Sequence, residues 1–248
     1  MMQTHMLIFS DHCAVLEAGE DLMFVAWFIT RKDLRGKGIG GMVIRKCIDS
    51  FTPETKIALH AAWGVRDYYA SLGFKNRGLV TFTCEGKFEK LIQGKRCDNI
   101  EIKELIECNF QDVVNFDHAI DKIDRRDYLQ RHFDNCERVV VALRYGKVVG
   151  YAGLKLLSDS KLISPMYADL EEAARKMTES LARDISDDIL KIIIPEDNKV
   201  AREMWADFGI TKAIDDNHIK TQLMFKGCQF SFPIDKVYGI IGFDGSMV

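Results

Sequence analysis

Hydrophobic residues in the first half of the chain form segments that alternate between the spacing of a strand and that of a helix. Leu22–Thr30 is apolar almost without interruption, which is typical of a central strand covered on both faces. A helix is predicted from about residue 38 to 51, where Ile44 and Ile48 recur at helical spacing, and Pro53 bars its continuation. The other elements predicted in this half are strands within Met6–Phe9 and Cys13–Leu16, a strand at Lys56–Ala62, a helix at Val65–Leu72 and a strand at Leu79–Cys84.

The pattern restarts after a short polar segment, Gly94–Asp98, which indicates a boundary between two domains at residues 1–93 and 98–248. Asp169 is predicted to cap a helix with Ala173 and Met177 on its apolar face. The strands of a predicted hairpin are Arg138–Leu143 and Lys147–Leu157. The remaining predicted elements are strands at Asn99–Leu105, Ile189–Ile194, Gln222–Phe225 and Val237–Phe243, and helices at Asp112–Lys122, Arg126–Phe133 and about 199–208.

The two halves repeat one theme of strand, helix, strand, helix and glycine. Gly73 in the first half corresponds to Gly209 in the second. Tyr69 and Trp205 each lie four residues before that glycine. A repeat of this kind predicts two copies of one α/β domain.

Charge and composition exclude several classes of protein. The 248 residues carry a formal net charge of −3, which gives no reason to expect a nucleic-acid partner. No apolar segment approaches the roughly 20 residues of a membrane span, and the N-terminus lacks the basic region of a signal peptide. Seven cysteines without a C-x-x-C spacing favour reduced thiols in a cytoplasmic protein. Neither these cysteines nor the six histidines have a metal-ligand spacing, so we expect no metal site.

One segment suggests chemistry rather than packing, and it joins the central strand to the following helix. Glycines at a helix start keep side chains away from backbone N–H groups, which together with the helix dipole suit a pyrophosphate. Two cationic side chains in the segment add positive charge beside a phosphate. The segment consists of Arg35, Gly36, Lys37, Gly38, Ile39, Gly40 and Gly41.

Two families of nucleotide-binding proteins have such a glycine loop. Gly36, Gly38 and Gly41 satisfy the G-x-G-x-x-G fingerprint of dinucleotide-binding enzymes, which would make the protein an NAD(P)-dependent oxidoreductase. In those enzymes the strand runs almost directly into the first glycine, and the next strand ends in an acidic residue. Here five residues, 31–35, separate the strand from Gly36, and the strand ending at Ala62 has no carboxylate at its end. The dinucleotide hypothesis is therefore the weaker one.

Arg35-x-x-Gly38-x-Gly40 resembles the R/Q-x-x-G-x-G/A signature of the GCN5-related N-acetyltransferases (GNAT superfamily), and Tyr69–Phe74 resembles a second segment of that family. The resemblance implies an α/β (α+β) fold with a mixed central sheet flanked by helices. It implies acetyl transfer from acetyl-CoA to an amine of a small molecule or an accessible amino group. The pyrophosphate would lie on Gly36–Gly41, and the backbone of Phe28, Ile29 and Thr30 would pair with the pantetheine arm.

The resemblance also suggests catalytic residues, although the acceptor stays unidentified. Tyr69 is the candidate general acid for the departing thiolate, with Tyr68 ranked second because it is one residue off in helical register. His60 is the nearest candidate for a base, and a packed core histidine is the simpler interpretation of it. The alternative to an enzyme is a catalytically inactive acyl-CoA-binding or interaction protein of the same fold.

The second half resembles the C-terminal domain of YitH-type tandem acetyltransferases. The similarity rests on Ser164–Asp169, Pro195–Asn198, Met224–Gly227 and Pro233–Phe243. Where a working copy would have its glycine loop, this half has acidic residues, which would repel pyrophosphate, so we expect a degenerate site there. Only about thirty residues precede the glycine loop of the first half, so we expect a shortened first domain whose exposed sheet edge would favour a homodimer.

Overall fold

The computed structural model describes residues 11–19, 22–88, 99–185, 188–214, 220–227 and 231–241. The described chain contains helices packed on mixed β-sheet, as the sequence predicts. The elements of the first half are β1 (Asp11–Gly19), β2 (Leu22–Thr30), α1 (Ile39–Asp49), β3 (Lys56–Ala62), α2 (Arg66–Ser71) and β4 (Lys75–Lys87). Those of the second half are β5 (Ile100–Glu104), α3 (Phe110–Asp121), α4 (Arg126–Asp134), β6 (Arg138–Arg144), β7 (Lys147–Leu156), β8 (Lys161–Ala168), α5 (Glu171–Leu181), β9 (Ile189–Pro195), α6 (Lys199–Asp207), β10 (Lys212–Ala213), β11 (Thr221–Lys226) and β12 (Val237–Gly239).

The chain divides into two compact units that do not follow the two halves of the sequence. The first unit contains the described residues up to Gly78 together with those of Thr221–Ser231, so β11 from the second half belongs to it. The second unit contains the described residues of Leu79–Lys220 and Phe232–Gly242. The division between the units thus comes at Gly78, before the predicted boundary at Gly94–Asp98, which itself lies outside the described residues. The domain limits 1–93 and 98–248 stay a prediction.

The strands of the first unit have the order β1-β2-β3-β11. β2 and β3 are parallel, and the other two pairs are antiparallel. One face carries α1 and α2, whose apolar side chains form a cluster with residues of the strands. That cluster includes Val25, Ile44, Ile48, Ile57, Leu59, Ala61, Tyr69, Leu72, Phe74 and Met224. The interrupted pairing of β2 and β3, described below, is the feature of this unit that shapes the candidate site.

The strands of the second unit have the order β4-β9-β8-β7-β6-β5, with β10 on β4 and β12 on β8. Only β8 and β9 are parallel among the pairs of this unit in the described residues. Its core is larger and is centred on buried residues that include Leu154, Met177 and Trp205.

The ends of α2 and α6, which the sequence analysis aligns through Gly73 and Gly209, have the same geometry. The N–H of Phe74 donates to the carbonyl of Tyr69 at 3.1 Å, and the N–H of Ile210 donates to that of Trp205 at 2.9 Å. The intervening Gly73 and Gly209 have φ of +91° and +84°, a left-handed conformation that glycine adopts without strain. Each helix therefore stops for the same stereochemical reason.

The structure corrects some of the predicted elements, and others fall outside the described residues. β8 was not predicted from the pattern, because Ser164-Pro165 interrupts its apolar sequence. In the structure these two residues fall in an irregularity of the β7–β8 register, where a proline is tolerated within a sheet. The predicted cap Asp169 is wrong, since the N-cap of α5 is Leu170. The last strand, predicted to run to Phe243, ends at Gly239. The predicted strand in Met6–Phe9 lies outside the described residues.

Two further properties bear on function. No described helix is long and apolar enough to cross a bilayer. Among the residues that the structure describes, no three His, Cys, Asp or Glu side chains are grouped so that they could hold a metal ion.

Candidate functional site

β2 and β3 run side by side for only part of their length. Their pairing extends from Leu22 opposite Lys56 to Val25 opposite Leu59, although β2 continues to Thr30 and β3 to Ala62. Beyond Val25, β2 pairs with β1 on its outer edge through Ala26, Ile29 and Thr30 and has no ladder partner on the side of β3. A gap therefore opens between two strand edges, and an extended chain that bears amides can enter such a gap as an added strand.

The loop after β2 brings the start of α1 to the same end of these strands. Gly36 and Gly38 have φ of +76° and +78°, and Gly38 is the N-cap of α1. No side chain caps α1, and its first turn holds no acidic residue. A Cβ atom built at either glycine meets nothing within 4 Å, so the outer side of the loop is open. An uncapped helix start of this kind attracts anions through its N–H groups and its dipole.

Gly40 and Gly41 are required for a different reason, which is close packing. A Cβ atom at Gly40 would lie 2.5 Å from the hydroxyl oxygen of Thr30 and 3.3 Å from Phe28 Cζ. One at Gly41 would lie 3.3 Å from the hydroxyl oxygen of Tyr68. The first turn of α1 is therefore pressed against the end of β2 and against α2, in agreement with the predicted neighbourhood of Phe28, Thr30 and the glycines.

The loop is positively charged and tied to β2. Arg35 Nε donates to the carbonyl oxygen of Thr30 at 3.0 Å, which links the loop to the end of the strand. Arg31 and Asp33 form a bidentate pair at 2.6 Å on the surface, so this carboxylate is directed at Arg31. Lys37 is exposed beside the two open glycines, and Ile39 is half-buried behind it. Lys37 and Arg35 thus supply cationic side chains next to the N-terminus of α1.

The structure separates the roles that the two neighbouring tyrosines can have. Tyr69 is buried in the apolar cluster, with its ring edge-on to Phe74 at 6.0 Å. Burial, with smaller contributions from Cys13 and Tyr68, raises the pKa of Tyr69 to about 12. The hydroxyl oxygen of Tyr68 is also buried, has no hydrogen-bond partner among the described residues, and faces Gly41. Of the pair, Tyr68 contacts the glycine loop, and its spacing in the sequence gave no signal for this.

His60 does not share a face of the sheet with Tyr69. Successive residues of a strand point to opposite faces, and Leu59 and Ala61 belong to the cluster that contains Tyr69. The ring of His60 instead lies 5.8 Å from that of Phe24, and its Nδ1 is 3.3 Å from the hydroxyl oxygen of Thr221. The acid and base candidates are thus not brought together. Ile29, the remaining predicted contact, has a side chain that is 42% exposed and a backbone on the open edge of β2.

The second unit has a corresponding gap, but the chain itself occupies it. β8 and β9 pair in parallel only as far as Ile163 opposite Ile192, and β12 pairs with β8 beyond that point. The N–H of Ile240 then donates to the carbonyl of Ile193 on β9 at 2.9 Å. The tail segment 237–240 therefore bonds to both strands, in the place where the first unit is open.

Two further features of the second unit oppose a ligand in its gap: a side chain holds the tail segment, and the helix start is acidic. Trp205 Nε1 donates to the carbonyl of Tyr238 at 2.8 Å. α5, which follows β8 as α1 follows β2, has Glu171 and Glu172 in its first turn. Their charges oppose an anion at that helix start. The described residues thus offer an open strand gap beside an uncapped helix only in the first unit.

Comparison with known proteins identifies the family. The model of the "Acetyltransferase (GNAT) domain" matches residues 113–239, which is half of the chain. The chain belongs to the GNAT acetyltransferases. The matched region lies outside the glycine loop, so the family rests on the second half of the sequence, independently of the motif in the first. No curated protein matches the chain.

Solved structures with the same fold include tandem members of the family. A protein from Pyrococcus horikoshii that was proposed to be an acetyltransferase has a TM-score of 0.75 at 18% identity, over 96% of this chain and 76% of that one. A tandem GNAT protein from the clavulanic acid biosynthesis pathway has a TM-score of 0.58 at 10% identity, over 90% and 80%.

A third match is the glucosamine N-acetyltransferase region of a fungal multi-domain β-N-acetylglucosaminidase, with a TM-score of 0.64 at 10% identity. It covers 87% of this chain, which spans 31% of that longer protein. At these identities the likenesses show the fold alone.

Proposed function

We propose that this GNAT chain transfers an acetyl group from acetyl-CoA to an amine at the gap between β2 and β3. The observation that carries the proposal is the end of β2–β3 pairing at Val25 and Leu59 beside the uncapped start of α1. The gap suits an extended amide-bearing arm, and the helix start suits a diphosphate. Acetyl-CoA has both parts in one molecule, joined in that order.

The proposed contacts divide between loop and strand. The N–H groups of residues 36–41 would hold the pyrophosphate, with Arg35 and Lys37 beside it. The backbone of Phe28, Ile29 and Thr30 would bond to the pantetheine arm, because β1 leaves their inner edge open. The hydroxyl of Tyr68 would gain an acceptor when the site fills, which removes the cost of a buried donor without a partner.

In the proposed reaction the neutral amine nitrogen attacks the thioester carbonyl carbon, and the carbon–sulfur bond breaks as CoA thiolate leaves. An N–H group at the end of β2 would stabilise the oxyanion. Tyr69, with a pKa of about 12, stays protonated at every physiological pH and would donate to the thiolate. Since an ordinary thiol has a pKa of about 8.5, this phenol acts chiefly through a hydrogen bond. The amine nitrogen loses one proton as the amide forms, and the charge of this proton balances that of the CoA thiolate.

One observation favours a second candidate function, a catalytically inactive acyl-CoA-binding protein. His60 lies on the face of the sheet opposite Tyr69, so the base proposed from sequence would not reach an amine held beside Tyr69 without an intervening group. An acetyltransferase of this geometry would release the amine proton to water. A binding protein would need no base at all.

The wider organisation of the protein is also a proposal. We infer a tandem arrangement of the YitH type, in which the second half serves as scaffold and has no acyl-CoA site, because β12 fills its gap. The cysteine content supports a cytoplasmic protein. Acetyl-CoA and an amine acceptor are the proposed partners, and a homodimer stays a prediction.

Calorimetry with acetyl-CoA and with NADH, followed by thiol release across a panel of amines, tests the proposal. We expect one acetyl-CoA per chain, no binding of NADH, and thiol release with at least one amine. NADH binding in place of acetyl-CoA would instead support the oxidoreductase hypothesis.

Two tyrosine variants separate enzyme from binding protein. Tyr69→Phe should slow the chemical step by roughly 100-fold with little change in acetyl-CoA affinity, because it removes the donor to the leaving sulfur. Tyr68→Phe is the matched control on the adjacent position and should change mainly affinity. Binding of acetyl-CoA without thiol release from any amine would favour the inactive binding protein.

A further inference from the structure

Two cysteine side chains of the first unit meet at a place that the proposed reaction does not use. Cys13 lies on β1, where the β1–β2 register is irregular, and Cys47 lies in the last turns of α1. Their sulfur atoms are 3.9 Å apart, although 34 positions separate them in the sequence. Both residues are free thiols of intermediate exposure, so small reagents can reach them.

The two thiols differ in acidity: Cys47 has the lower pKa and Cys13 the higher. A pair that forms a disulfide needs one such acidic thiol to attack first. The thiol of Cys13 donates to the sulfur of Cys47, and this hydrogen bond lowers the pKa of Cys47. The same contact, together with burial, raises the pKa of Cys13. Burial also raises the pKa of the other described cysteines, with Cys84 and Cys136 at about 11 and Cys108 shifted in the same direction. Since the thiolate is the nucleophile, we expect Cys47 to be the first of the described cysteines to react.

We propose that Cys13 and Cys47 form a reversible intramolecular disulfide in response to a low-molecular-weight disulfide. A disulfide has an S–S length of about 2.0 Å, so the two sulfurs must approach by about 2 Å to form the bond. In a reducing compartment such bonds are typically transient and sense redox state.

The exchange balances with glutathione disulfide as oxidant. The Cys47 thiolate attacks one sulfur of glutathione disulfide, a Cys47–glutathione bond forms, and one glutathione leaves as thiolate and takes up a proton. Cys13 then loses its proton and attacks the Cys47 sulfur, and the second glutathione leaves. Two protein thiols are oxidised, and one glutathione disulfide is reduced to two thiols.

The cross-link would join two elements that flank the candidate site. It ties β1, the strand that covers the outer edge of β2, to α1, the helix that begins at the glycine loop. An electrostatic interaction with Cys13 contributes to the raised pKa of Tyr69, so the pair lies within electrostatic reach of that phenol. The proposal itself concerns covalent chemistry and does not depend on acetyl transfer.

The test equilibrates the full chain with glutathione buffers of increasing oxidised fraction, followed by quenching with N-ethylmaleimide. Intact mass and peptide mapping then locate each bond. We expect monomeric protein two hydrogens lighter, a Cys13–Cys47 peptide, and a fall from seven alkylated cysteines to five. Dithiothreitol should restore all seven. Reduced Cys13 and Cys47 throughout the series, or a disulfide to a different cysteine, would overturn the proposal.

Variants establish the order of attack. Cys13→Ser should accumulate a single glutathione on Cys47, because the resolving thiol is missing, and Cys47→Ser should form neither adduct nor internal disulfide. Cys136→Ser is the matched control and should behave as the parent. If a serine variant does not fold, the alanine variant at the same position, Cys13→Ala or Cys47→Ala, replaces it. The mapping of the parent protein decides the proposal without any variant. Glutathione on Cys13 in the Cys47→Ser protein would contradict the assigned order.

Discussion

At the scale of single residues, the glycines of the candidate site have two distinct functions. Gly36 and Gly38 provide left-handed backbone with open space beside it, whereas Gly40 and Gly41 provide close contact with Thr30, Phe28 and Tyr68. A side chain at the first pair would project toward a bound ligand. A side chain at the second pair would disturb the packing of α1 itself.

Gly38→Glu should abolish acetyl-CoA binding, with affinity lowered by at least about 100-fold, because it adds bulk and negative charge at the helix start. Calorimetry measures this change. Gly146→Glu is the matched control, since Gly146 has φ of +75° and open space in the β6–β7 turn. Both variants carry the same left-handed strain of about 1 kcal/mol. Equal affinity in the two variants would refute the location of the site.

A buried charged cluster of the second unit gives a residue-scale prediction about stability. Arg125 donates two hydrogen bonds to the carboxylate of Asp117, at 2.8 and 2.7 Å. The same guanidinium also forms an ion pair with the carboxylate of Asp121. Burial raises the pKa of Asp121 to about 7, against 3.8 in an unfolded chain, although Arg125 opposes the shift. Between these two values the folded state binds more protons, so this site lowers the free energy of unfolding as pH rises.

Asp121→Asn should therefore remove a pH-dependent loss of about 2–3 kcal/mol between pH 5 and pH 8. Urea unfolding of parent and variant at both pH values measures it. Asp134→Asn is the control, because Asp134 is exposed and accepts a bond from Gln130. If parent and Asp121→Asn lose stability in parallel, the carboxyl is ionised throughout and the assigned shift is wrong.

At the scale of elements, the same strand gap is open in one unit and filled in the other. β12 occupies the gap between β8 and β9. The side chain of Asn198 holds the segment that leads into β12. Asn198 caps α6 through Ala201 N–H at 3.0 Å and donates to the carbonyls of Ile234 at 2.8 Å and Val237 at 2.9 Å. One buried amide thus serves both a helix start and the tail.

Asn198→Ala should lower the free energy of unfolding by about 3 kcal/mol, because it removes a cap and leaves two buried carbonyls without their donor. Asn109→Ala is the matched control, since Asn109 only caps α3 through Gln111 N–H at 3.1 Å, and it should cost about 1 kcal/mol. Urea denaturation compares the two variants. Losses of equal size would show that the tail contacts contribute nothing.

At the scale of the whole molecule, each compact unit contains a segment from the other half of the sequence. β11 lies beside β3 over six residue pairs in the first unit. In the second unit, β4 pairs with β9 from Thr81 opposite Pro195 to Lys87 opposite Ile189. Each half of the sequence therefore contains a strand whose partner comes from the other half.

A fragment of residues 1–93 should lack cooperative unfolding, because β3 loses its partner β11 and Met224 leaves the apolar cluster. Thermal unfolding followed by circular dichroism measures this. Fusing residues 220–227 behind a flexible linker should restore part of the transition, whereas the same linker alone should not. A sharp transition in the unmodified fragment would show that the first unit folds without β11.

Local pattern determined a large part of this protein. Apolar segments located β2 and β3, the 3.6-residue period located α1, and the turn residues before it with Gly209 after it located α6, because these features depend only on residues close together in the chain. Only the tertiary structure decided which strand lies beside β3, what fills the gap between β8 and β9, and which face His60 occupies. Those outcomes depend on pairing between strands far apart in sequence, where a shift of one residue exchanges the faces and no local period specifies the partner.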